Sequence, residues 1–272
     1  MAEALSIMKT SADPERRLLY QPSWSPEVWD KVWTDRQSKM AEHRRVFRKS
    51  LTRYMNQLES EVRNNLREQW SGSETILEHV VLFKNDDWLD CYKNRMLPVA
   101  VRTVHGGGSV GFSDVSPDDR FVVEAADHVW AEKVVKEAGG YKLASIDRAI
   151  RRALEKCVQQ EEVSGEFSSE MEEMVRLQIT GRDHETATVT ETLKSFHYGV
   201  QKAYQRAGVR KKVWMTSLRD NVRDSHRAMH GQEVSIGDSF VSGNGSRLAY
   251  PGDPMAPPSD TANCYCVILA TS

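Results

Sequence analysis

Residues 211–232 read KKVWMTSLRDNVRDSHRAMHGQ, and the chain continues through EVSIGDSF (233–240), AYPGDP (249–254) and NCYC (263–266). Asp, Arg, His, Asn and Cys are packed here between turn-forming residues, whereas the chain upstream is built of helical patterns. Val213-Trp214-Met215 is a short strand-like run. Gly231, Gly237, Gly243, Gly245 and Gly252, with Pro251, Pro254, Pro257 and Pro258, mark closely spaced turns. Cys264 to Leu269 is a terminal strand candidate. Residues 210–272 are therefore expected to form a small lobe of short strands and turns. With a helical remainder, the fold class is α+β.

Working outward, residues 1–22 are punctuated by Pro14 and Pro22 and hold no period, so an extended arm is expected. Ser25-Pro26-Glu27 opens a helix: a cap, a proline at the first position and an acid at the positive end of the dipole. Trp29, Trp33, Met40, Phe47, Leu51, Met55, Leu58, Val62, Leu66 and Trp70 then recur at mostly helical spacings. One helix over 28–70 would be ~64 Å long at ~1.5 Å per residue. Such a stripe, over 23–71 as a long helix or helical hairpin, predicts packing against something outside its own domain.

Residues 72–209 read as a helical domain. Breaks are expected at Ser71-Gly72-Ser73, near Pro98, and at a flexible loop His105-Gly106-Gly107-Gly108. A new start is expected at Ser116-Pro117-Asp118-Asp119, a stop at Gly139-Gly140, and caps at Ser145 and at Ser168 or Ser169. A last helix runs from about His184 to Ala207. The three consecutive glycines follow no strand and precede no GK[ST], so they are not read as a phosphate cradle.

The 272 residues, 39% apolar and 28% charged, are enough to bury a core, and the net charge of −2 gives no general attraction to nucleic acid or anionic membrane. No apolar run approaches the ~20 residues that span a bilayer, and the N-terminus lacks the apolar core of a signal peptide. A cytosolic start is expected, and with it reduced cysteines. Cys91 and Cys157 sit alone in helical patterns and read as small buried hydrophobes.

The candidate chemistry lies in the last quarter. Asp220, Arg223 and His226 are three apart, placing them near one face of a helical turn, with Asp220 able to accept from the other two. This reads as a hydrogen-bonded cluster, or as an acid–base pair if a pocket and nucleophile accompany it. Cys264 and Cys266, at i, i+2 on a strand, share a side, and His226 and His230 share a helix face. Together these four form a candidate zinc set, and sulfur with imidazole suits that metal. Tyr250-Pro251-Gly252-Asp253-Pro254 is a rigid double turn in which Gly252 can take positive φ, and Asn263 can close a turn through its side chain. On the long helix, Arg44, Arg45, Arg48, Lys49 and Arg53 are either a solvated face or a contact for nucleic acid or an acidic partner.

The ordered series Trp214, Asp220, Val222-Arg223, His226, Gly231, Phe240, Pro251-Gly252-Asp253-Pro254 and Asn263-Cys264-Tyr265-Cys266 resembles the phage head morphogenesis family, the minor head proteins related to protein F of phage Mu. The likeness continues more loosely upstream over Ile150 to Ala207, including Thr190-Glu191-Thr192, and leaves the N-terminal helix unexplained. Tyr265 stands where the family has Arg between the cysteines. The resemblance implies a structural, non-enzymatic protein of a tailed-phage head, made in the bacterial cytoplasm and carried in the virion. Its implied partners are the portal or major capsid protein, with no membrane, small-molecule substrate or required cofactor. Docking would fall to the N-terminal helical part. Two other readings stand beside it: a metal-dependent hydrolase or toxin-like effector using Asp220 and His226, and an internal or ejected protein that touches packaged DNA.

Overall fold

The computed structural model describes residues 18–21, 23–70, 79–159, 167–181 and 184–271. Five helices come first: α1 (Pro26–Gln69), α2 (Asn85–Val115), α3 (Ala125–Gln159), α4 (Ser169–Ile179) and α5 (His184–Arg206). The lobe follows as β1 (Lys211–Met215), α6 (Asp224–Arg227), β2 (Glu233–Ser235), β3 (Phe240–Val241), β4 (Arg247–Leu248), α7 (Pro258–Thr261) and β5 (Val267–Thr271). This is the expected α+β class. The expected arm falls mainly on residues outside the described ones, as does the break at residues 71–73. No helix among the described residues is long and apolar enough to cross a membrane.

The chain forms two compact units, Met1–Arg45 with Ala100–His128 and Thr186–Ser272, and Val46–Val99 with Val129–Glu185. The division cuts across the sequential blocks 23–71, 72–209 and 210–272, because α1, α2 and α3 each supply residues to both units.

In the first unit, α1 opens where Ser25-Pro26 places it, with the amides of Val28 and Trp29 donating to the Ser25 carbonyl. The His105-Gly106-Gly107-Gly108 stretch is not a loop but the interior of α2. A Cβ at Gly107 would lie 1.9 Å from the Phe196 carbonyl oxygen, and one at Gly199 would lie 2.1 Å from that of Val104. Glycine is required here because α2 and α5 meet backbone to backbone, and this contact outweighs the low helix propensity. Ser116-Pro117 forms a turn, closed by the Asp119 amide on the Ser116 carbonyl at 3.0 Å. The start of α3 is fixed instead by Asp127, whose carboxylate accepts from the Glu124 amide at 2.9 Å.

The three-stranded sheet has order β2-β1-β5, all antiparallel, with Val213 opposite Leu269. Every residue of β5 is buried. Its outer edge is met by Tyr20, whose amide donates to Ala270 at 2.8 Å. The β3–β4 hairpin pairs Phe240 with Leu248. The expected terminal strand begins at Val267 rather than Cys264, so both cysteines lie in the turn-rich approach to it.

In the second unit, the rest of α1 packs with the start of α2, most of α3, and α4 around a mainly apolar core that includes Met55, Leu58, Val62, Ile150 and Val175. The Tyr54 ring meets Trp88 and Tyr92 edge-on, at 5.4 and 5.1 Å. Pro98 lies inside α2, and Gly139-Gly140 and Ser145 lie inside α3, so none ends or starts a helix here. A Cβ at Gly139 would stand 2.7 Å from the Tyr92 ring, so that glycine makes room for the aromatic. Ser168 does cap α4, accepting from the Met171 amide at 3.3 Å. Cys91 and Cys157 are half-buried rather than buried. All ten stripe residues, nine on α1 and Trp70 just beyond it, are buried by the chain itself. The stripe is therefore not left open for an outside partner, because the chain itself buries it.

Candidate metal centre

Two short helices and one turn bring the candidate residues together. Arg223 precedes α6, which buries Ser225 and His226 on its inner side. Pro258 opens α7, which buries Asp260 and Thr261. The chain then turns at Asn263, where φ is +51°, with the Asn263 amide donating to Thr190 Oγ1 at 2.9 Å. Cys264 and Cys266 follow, both buried.

Their sulfurs lie 3.5 Å (Cys264) and 3.4 Å (Cys266) from Nδ1 of His226. The ligating atoms of all three residues lie within 4.8 Å of one another. The Cys266 amide donates to the Cys264 sulfur at 3.4 Å, which favours a thiolate there. The two thiols bias each other. A bond from Cys266 holds the Cys264 thiol below its ordinary value, against the pull of burial and with help from His226. Burial and the Cys264 charge push Cys266 up. The other imidazole nitrogen, Nε2, is buried without a hydrogen-bond partner and stands 3.7 Å from Asp260 Oδ1. Burial alone would raise the Asp260 carboxyl, but bonds from Ser246 and Ser225 and the nearby His226 bring it below its usual range.

The other motif residues frame this centre. Trp214 on β1 is fully buried and meets His226 edge-on at 5.7 Å and Phe240 at 5.2 Å. Gly231, at φ +75°, donates its amide to the Trp214 carbonyl at 2.9 Å. Asp253 closes the Pro251-Gly252-Asp253-Pro254 turn by accepting from the amides of Ala249 (2.7 Å) and Met255 (2.9 Å). Gly252, at φ +81°, has room for no Cβ without pressing the Lys194 backbone 3.0 Å away. The Arg223 guanidinium donates to the Ala262 carbonyl.

Two sequence expectations need correction. Asp220 is exposed in the turn at 219–222, and the carboxylate beside His226 is Asp260. The helical spacing that grouped Asp220 with His226 does not apply, because α6 begins only at Asp224. His230 is not in the ligand group. Its Nδ1 meets the Thr216 hydroxyl at 3.0 Å, and its ring packs on Trp29 at 4.5 Å. The α6 turn is too short to carry an i, i+4 face. Asp260 was missed, although Pro257-Pro258 before Ser259-Asp260 is a helix-start signal.

The basic residues of α1 are also placed. Arg44 bonds Gln37 and lies over the Tyr265 ring at 5.7 Å. Arg45 pairs with Glu42, and Arg48 with Glu185. Lys49 and Arg53 are exposed.

Of the motif residues, Trp214, His226, Cys264 and Cys266 meet at one buried centre, and Asp220 stays outside it. Residues 144–269 match the family described as Phage Mu protein F like protein. The resemblance read from the motif series holds over that span, which takes in the helical approach as well as the lobe. Neither the curated proteins nor the solved structures gave a match. The Mu F-like match suggests a structural protein of phage head morphogenesis.

Proposed function

We propose that this chain is a minor structural component of a tailed-phage head, made in the host cytoplasm and built into the head during assembly in contact with the portal or the inner capsid. The observation that carries this reading is the Mu F-like match over 144–269, whose polar motif residues are used for internal fastening. Trp214, Asp253 and Asn263 hold backbone and packing, leaving the motif without an exposed acid–base pair. The apolar stripe of α1 is buried and so is not the surface offered to the head. A role in binding packaged DNA is the weaker reading, because Arg45 and Arg48 are already paired with acids.

The test is to tag the chain, purify procapsids and filled heads, and quantify it by mass spectrometry after cross-linking. Incorporation at low copy with cross-links to portal or capsid protein is expected. Heads that assemble at normal yield and lack the chain would overturn the reading.

A further inference from the structure

From the geometry we infer that His226, Cys264 and Cys266 form a zinc site, with Asp260 holding the histidine from behind and the fourth coordination position open to a cleft. Bond lengths of ~2.3 Å to sulfur and ~2.0 Å to nitrogen, at a tetrahedral angle, set those donor atoms about 3.5 Å apart. The observed separations from His226 Nδ1 are 3.5 and 3.4 Å. Both sulfurs approach the same ring nitrogen, as ligands sharing one ion must. Two thiolates and an imidazole are the mixed soft and borderline donors that zinc takes.

The outer groups fit as well. With a metal on Nδ1, the proton of His226 sits on Nε2, the nitrogen turned toward Asp260 at 3.7 Å. A carboxylate behind a ligating histidine fixes its tautomer and raises its donor strength. Asp260 is itself fully buried and accepts from Ser225 Oγ at 3.0 Å, so it is held in place. Without a cation, this corner buries Asp260 beside two cysteines and an imidazole nitrogen that lacks a partner. A divalent ion takes the place of the two thiol protons and, by occupying Nδ1, fixes the proton of the orphaned nitrogen on the side of Asp260.

The three ligands also line a cleft of about 480 Å³. Trp33, Arg219, Arg223, Asn221 and Asn263 form other parts of its wall. The fourth position is therefore within reach of water or of an added small donor. The site joins α6 to the approach of β5, and a metal there ties these two segments together. This inference is independent of the role in head assembly, and either can fail alone.

The test uses the full chain purified under reducing conditions. Elemental analysis is expected to find zinc equimolar with protein. Cobalt exchanged into the site should give thiolate-to-cobalt charge-transfer absorption, altered by added imidazole if the fourth position is open. C264S and C266S should lose the metal, and H230A should retain it. Asp260→Asn should weaken zinc affinity by ~10–100-fold. Should the cysteine variants not fold, the wild-type cobalt spectrum and H230A still decide. Metal-free protein with no charge-transfer band, or a Cys264–Cys266 disulfide in the reduced preparation, overturns the site. A spectrum unmoved by imidazole overturns the open position.

Discussion

In the unit made of Val46–Val99 and Val129–Glu185, Glu59 is the single buried polar or charged side chain among the described residues. Its charges lie outside, in pairs such as Arg67–Glu172 and Arg151–Asp147. The other unit buries Arg36, Asp114, Asp127, His197, Lys212, His226, Asp253 and Asp260. Arg36 bonds Asp114 at 2.5 Å, and the Tyr204 hydroxyl donates to the same carboxylate at 2.6 Å. Lys212 donates to the Ala249 carbonyl at 2.7 Å, and burial pulls its ammonium down to about 8 against the opposing charges of Asp253 and Asp238. An apolar contact tolerates many arrangements, whereas a buried charge tolerates the few that satisfy it. The first interior is held by fit and area. The second is held by specific partners, and the Mu F-like motif residues are among them.

This contrast can be broken at its strongest point. Asp114→Ala leaves Arg36 buried and unpaired and is expected to cost ~3–5 kcal/mol in urea unfolding, while Arg36→Met with Asp114→Leu recovers most of the loss. If the single and double variants fall equally, the pair is not what holds that interior. In the apolar unit, Leu58→Ala should cost ~2–5 kcal/mol, and no compensating charge change should restore it.

A third measurement separates the units by pH. Burial would raise the Asp127 carboxyl, but the Glu124 amide, Arg206 and Tyr198 together hold it below the usual carboxylate range. Its contribution is thus fully present above the unfolded value of ~3.9 and disappears as pH falls through the lower folded value. Wild type and Asp127→Asn should differ at neutral pH and converge in acid. Parallel pH curves would show that Asp127 is not the acid-sensitive group. The smallest effect is expected at the surface of the apolar unit, where Arg48→Ala should change stability by ~0–1 kcal/mol. A larger loss there would erase the distinction between a fit-held and a charge-held unit.

Local chemistry made much of this legible. The α1 start at Ser25-Pro26, the Ser168 cap, the β1 run at Val213-Trp214-Met215 and the positive φ of Gly252 all follow from single residues and their neighbours. Arg36 also carried a signal that was not read: it falls on the apolar stripe between Trp33 and Met40, where a charge needs a buried partner. The glycines of 106–108 and Gly139 share one reason for lying inside helices: each is a breaker by propensity, and each sits where close packing needs a missing side chain.

By itself, the sequence determined which segments are helix or strand over the long periodic stretches, the α+β class, and the order of the Mu F-like motif from Trp214 to Cys266. These depend on periodicity and on residues within a few positions of one another. Only the tertiary structure decided that the α1 stripe is covered internally, that Asp260 rather than Asp220 stands behind His226, and that His230 leaves the ligand group. Those outcomes depend on which segments meet in space. In the candidate metal centre, a four-residue helix and a turn at Asn263 bring His226 to two cysteines near the other end of the lobe, and no spacing along the chain encodes that meeting.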